Sequence, residues 1–122
     1  MCLVNILPVD KSKQNKIIIA YRTFRKGKDG TLLPVRPGTK WEYYPGIVYQ
    51  SRKPGFHGFY TRKAARAFAK EGNAWLRPDD PDYERVYMVK LTGLYTTGAQ
   101  EIAGELYPAF TARFMTVLER VR

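Results

Sequence analysis

A single cysteine, Cys2, and a single histidine, His57, stand in a chain of 122 residues. One thiol excludes an internal disulfide and a cysteine metal cluster, and it fits a reducing, cytoplasmic setting. One histidine excludes a multi-histidine metal site, and any Ser-His-Asp arrangement would have to use His57 itself. Metal binding would then fall to carboxylates. Asp79, Asp80, Asp82 and Glu84 are close in sequence, but they have neither the spacing nor the glycine of a calcium loop. They read as a solvated acidic loop, and neither a metal nor a cofactor is expected. The mildly apolar stretch 1–8 is too short to span a membrane and has no charged flank of a signal peptide, so residues 1–15 read as an N-terminal arm or edge strand.

Acidic groups are scarce in the first two thirds. Residues 1–60 carry 11 basic and 3 acidic side chains and residues 61–78 carry 5 and 1, whereas residues 79–122 carry 5 and 7. The net charge of +10 is therefore a property of the N-terminal part, where it raises the local concentration of anions. Hydrophobic residues make up 44%, and nine tyrosines raise the aromatic share, which is the composition of a folded chain of one domain rather than of a disordered tail.

The pattern along the chain predicts an α+β fold, a single domain over 16–122 with a mainly antiparallel sheet and one or two short helices packed on it. Residues 16–24 (KIIIAYRTF) are β-branched and aromatic and run into a Gly/Asp cluster at 25–30, after which 31–35 (TLLPV) reads as a returning strand. Residues 36–39 read as a turn. Residues 40–50 supply aromatic strand material broken at Pro45-Gly46, and residues 54–60 (PGFHGFY) a short strand approached through glycine. Thr61 stands as an N-cap before a helix over 62–70 with Ala64, Ala65, Phe68 and Ala69 on one face, ended by Gly72 and Asn73. Residues 77–82 read as a loop and 84–92 as a strand covered on both faces. Thr97 and Gln100 have capping-box spacing before a short helix over 97–106, and residues 109–121 fit either helix or strand.

Two groups of basic residues are candidates for binding. Arg62, Arg66 and Lys70 recur every four residues on the helix, with Lys63 beside them, so the stripe faces either water or an anion. The free amides of the helix N-terminus lie beside His57, Thr61 and Arg62 and offer a phosphate seat. The second group, Arg22, Arg25, Lys26, Lys28, Arg36, Lys40, Arg52 and Lys53, is interleaved with Trp41, Tyr43, Tyr44 and Tyr49, and Tyr60 follows. Cations that track phosphates beside rings that stack on bases hold single strands without sequence readout. Two of the four rings from Trp41 to Tyr49 are expected in the core, and His57 reads as a packing or hydrogen-bonding residue more readily than as a general base.

The segment Gly55-Phe-His-Gly-Phe-Tyr-Thr-Arg-Lys-Ala-Ala65 resembles a pattern, G-F-H-x-F-x-T-x-x-x-A, found in small uncharacterised proteins of phages and other mobile elements. With Ile19-Ala-Tyr-Arg22, Val86-Tyr-Met-Val-Lys90 and residues 112–120, the resemblance spans roughly 16–120, leaves 93–108 as an insertion and implies a closing strand over 109–121. It implies a phage-type protein acting in the cytoplasm of a bacterial host, for instance against an immune system. The expected function is a small basic binding protein for nucleic acid or a nucleotide signal, with a protein–protein inhibitor of a host complex as the alternative. A looser likeness to small ADP-ribosyltransferase folds would cast Arg22, Tyr60 with Thr61, and Glu101 or Glu105 as an enzyme's site.

Overall fold

The computed structural model describes residues 3–8, 16–35 and 42–122. In chain order these form strands β1 (Val4–Pro8), β2 (Ile18–Lys26), β3 (Leu32–Pro34), β4 (Val48–Gln50) and β5 (Phe56–Phe59), helix α1 (Arg62–Gly72), and strands β6 (Glu84–Ile102) and β7 (Glu105–Arg120). All pairings among them are antiparallel. Strand formation follows the β-branched and aromatic runs, and the β2–β3 hairpin turns at Asp29 (φ 54°) and Gly30 (φ 80°), where an aspartate and a glycine tolerate the left-handed backbone.

The long β6–β7 hairpin organises the domain. Residues 97–106, expected as a short helix, are instead its distal end: Ile102 pairs with Glu105, and Ala103 (φ 50°) with Gly104 (φ 83°) make the two-residue turn between them. Positive φ at both turn positions matches the right-handed twist of the flanking strands. Residues 93–108 continue the two strands through the hairpin's turn, and residues 109–120 are strand, with β6 on one edge and β5 and β4 on the other.

One edge of β6 takes β2 over Leu91 to Glu84 and β1 over Thr96 to Ala99, while its other edge takes β7. β7 pairs in turn with β5, and β5 meets β2 through Tyr21 and Phe59, so β6, β2, β5 and β7 close a circuit. Closure requires the hairpin to bend. It does so at Gly93 (φ 70°), where the inward-facing positions change parity on both strands, from Val89 and Leu91 to Leu94 on β6 and from Ala112 to Met115 on β7. Phe24, Val89, Leu91, Phe110, Met115 and Val117 fill the interior and are fully buried.

A second apolar layer lies between α1 and the outside of this circuit. Ala64, Ala65 and Ala69 pack with Phe59, Val86 and Ala109, and small side chains on the helix let it approach closely. Thr61 caps α1 by accepting from the amide of Ala64 at 3.2 Å. Asn73 ends it, donating its own amide to the Ala69 carbonyl at 2.8 Å. Five of the six specified positions of the motif of the mobile-element resemblance, all but His57, have a structural account. Gly55 (φ 90°) has no room for a Cβ against the Ala112 carbonyl and the Tyr95 ring, Phe56 and Phe59 fill the two apolar layers, Thr61 caps, and Ala65 is buried under the helix.

Candidate functional site

The basic residues singled out from sequence separate into three environments. Arg22 faces into the closed circuit, its guanidinium 5.3 Å from the Phe24 ring and 5.8 Å from the Phe56 ring. Its Nη1 lies 3.5 Å from the His57 carbonyl and 3.9 Å from the Met115 sulfur. β2 and β5 share only the Tyr21–Phe59 pair, and Arg22 bridges the gap that the missing pairs leave. Burial pulls its pKa down from the usual arginine value, though a guanidinium stays charged in proteins. Arg22 is therefore a splint of the fold and not part of an exposed anion seat.

Arg25 is also engaged. It donates to the Pro34 carbonyl and to Asp82, both at 2.9 Å, and the Arg25–Asp82 contact is the one ion pair among the described residues. His57 has both ring nitrogens shut away without a hydrogen-bond partner, and its ring stands edge-on to Phe59 at 5.0 Å. Desolvation, with the Arg22 charge second, pushes its pKa down to about 3, so the imidazole is neutral and unsuited to hold a phosphate. Arg52 and Lys53 are exposed on the loop before β5, with Lys53 5.6 Å from the Tyr95 ring. Among the described residues no ion pair joins them to the helix stripe.

Of the stacking candidates, Tyr43 is 8% exposed and packs edge-to-face on Tyr49 at 4.9 Å, so these two rings belong to the core. Tyr44 is exposed, and Tyr60 is partly exposed with its ring 4.5 Å from Phe110. Trp41, with Arg36, Lys40 and Cys2, lies outside the described residues. The residues of the transferase reading do not converge either. Arg22 is turned into the core, the Thr61 hydroxyl caps α1, and Glu101 and Glu105 sit exposed at the far end of the hairpin, where Glu105 accepts from Tyr107.

What the fold does bring together is the helix stripe and a cleft that sequence reasoning missed. Arg62, Lys63, Arg66 and Lys70 are all exposed along α1. Arg62 lies over the Tyr21 ring at 5.6 Å, and Arg66 donates to the Arg122 carbonyl at 3.2 Å, while none of the four meets a carboxylate among the described residues. The stripe ends at a cleft of about 420 Å³ between the end of α1 and the chain leading into β6. Arg66 and Lys70 form one wall, Leu76, Pro78 and Val86 give apolar lining, and Tyr83 and Glu84 complete it. Trp75, between the cleft residues Ala74 and Leu76, is 96% exposed. A tryptophan beside proline- and aspartate-rich loop residues gave no periodic signal, which is why it escaped the sequence reading.

Glu84 departs from the solvated acidic loop expected of it. It is 6% exposed, and its Oε1 has no hydrogen-bond partner. Burial raises its pKa, opposed by a hydrogen bond from Thr23 and by the charge of Arg25. The Asn73 side chain fixes the backbone here, donating to the Glu84 carbonyl at 2.8 Å and accepting from its amide at 2.7 Å. Gly72 leaves the room the carboxylate occupies, since a Cβ there would collide with it.

No family model matches this chain, and no curated protein or solved structure matches it. Among the described residues no group of histidine, cysteine and acidic side chains is arranged to hold a metal, and no helix is long and apolar enough to cross a membrane.

Proposed function

We propose that the protein is a binding module for nucleic acid or a nucleotide, held along the exposed cations of α1 and in the cleft at its end. The observation that carries the reading is the line Arg62, Arg66 and Lys70, none of them ion-paired among the described residues, running to a concave, partly apolar site whose lining residues Ala74 and Leu76 bracket the exposed Trp75 in sequence. Cations fix a phosphate backbone and an exposed ring stacks on a base, so the two together suit a single strand or a nucleotide better than a bare charge stripe does. The test is fluorescence anisotropy with a single-stranded oligonucleotide across a salt series. If the four cations of α1 meet phosphates, the log–log slope is about −3. An affinity independent of salt rejects the reading.

A second reading, a protein–protein inhibitor of a host complex, is favoured by Ile19 and Val48. They are 46% and 65% exposed and lie in one cross-strand row through Lys90 and Thr116, on sheet surface beyond α1. In this reading the phage-type setting supplies the partner, a defence protein of the host. A Val48→Asp variant that keeps the fold and still co-purifies with the same host protein as the wild type removes that row from any interface.

A further inference from the structure

Resting on the reading of the cleft as a nucleic-acid or nucleotide site, we propose that Glu84 reads the base, selecting one that presents an exocyclic amino group over one that presents a carbonyl at the same place. The cleft has three chemically distinct parts. Arg66 and Lys70 are donors for a phosphate, Trp75, next in sequence to the lining residues Ala74 and Leu76, is an exposed ring, and Glu84 is the one acidic residue in the lining among the described residues. The carboxylate is buried, and its Oε1 accepts no hydrogen bond.

An acceptor left without a donor in a desolvated position is costly, and a donor delivered by a ligand removes that cost. Cytosine offers its N4 amino group to a carboxylate, whereas thymine and uracil present O4, a second acceptor that a carboxylate repels. Asn73 holds the Glu84 backbone on both its amide and its carbonyl, which fixes the root of the side chain. The cleft volume of about 420 Å³ lies within the range of small-ligand sites.

The experiment compares labelled eight-residue oligodeoxycytidine and oligothymidine, whose rings are alike in size, on the full chain. Oligodeoxycytidine is expected to bind about tenfold more tightly. Glu84→Leu, checked for an unchanged melting temperature, is expected to erase that difference, by weakening oligodeoxycytidine binding and by relieving the repulsion of thymine O4. Should this variant not fold, an N4,N4-dimethylcytosine oligomer on the wild type takes its place, and it is expected to bind no better than oligothymidine. CMP and UMP form a second arm. The same preference among mononucleotides marks a nucleotide pocket, and a preference confined to the oligomers marks a strand groove, either of which supports the assignment. Equal, salt-dependent affinities for the two oligomers overturn base reading and leave the anion site standing. Binding of neither overturns both.

Discussion

The side-chain amide of Asn73 closes on the backbone of Glu84 from both sides, donating to its carbonyl at 2.8 Å and accepting from its amide at 2.7 Å. The last turn of α1 is thereby joined to the first residue of β6, and the cleft lies beside that junction. Asn73→Ala leaves two partly buried backbone groups without partners and is expected to cost about 1–3 kcal/mol, read by chemical denaturation. A change below about 0.5 kcal/mol would show that water replaces the amide without loss.

Trp75 touches little in the folded chain, being 96% exposed. Trp75→Ala should therefore change stability by no more than about 0.5 kcal/mol. Its loss of one stacking platform is expected to weaken single-strand binding by roughly 1–3 kcal/mol. Unaltered affinity would place the bound strand away from Trp75.

Arg22 and the helix cations are expected to behave oppositely. Arg22→Met keeps an unbranched stem among Phe24, Phe56 and Met115 while deleting the charge, so it should leave salt-dependent binding as it was. Binding that falls together with the charge would return Arg22 to the anion site.

The pH dependence of stability carries two contributions of opposite sign. The unfolded chain protonates His57 near 6.5, while the native ring resists until about 3, so below 6.5 the unfolded state binds more protons and stability falls as pH drops through that window. Glu84 is raised above its ordinary 4.5, so the native state holds its proton to higher pH and stability falls as pH rises from 4.5 through the native value. His57→Gln should remove the first slope and Glu84→Gln the second, each taken as a difference of denaturation midpoints from the wild type across pH 3–7. A His57→Gln profile parallel to the wild type's would mean that the ring is solvated.

Sequence legibility followed how local the determining physics is. The cap at Thr61, the alanine face of α1 and the turn at Asp29-Gly30 are set by near neighbours, and they were read correctly. The strand character of 97–106 was not, because the threonine and glutamine that mimic a capping box are cross-strand partners of Phe110 and Tyr107, a relation absent from local spacing. The change of inward-facing positions at Gly93 was not legible either, because its positive φ has meaning only once β7 lies opposite. Among the candidate site residues, the helix stripe was legible from its four-residue period. The inward turn of Arg22 was hidden because an arginine on an alternating strand is ordinarily placed outside. Trp75 and the burial of Glu84 were hidden because both depend on how the 74–84 segment folds back against α1.

Arg66 and Lys70 belong at once to the helix stripe and to the cleft wall, so reversing both charges tests the account at its joint. In the Arg66→Glu, Lys70→Glu protein, with the melting temperature checked against wild type, anisotropy titrations of a single-stranded oligonucleotide over a salt series should show more than tenfold weaker binding at low salt. The slope should flatten by about 0.7 for each cation removed. Affinity and slope identical to those of the wild type, on an intact fold, would contradict it.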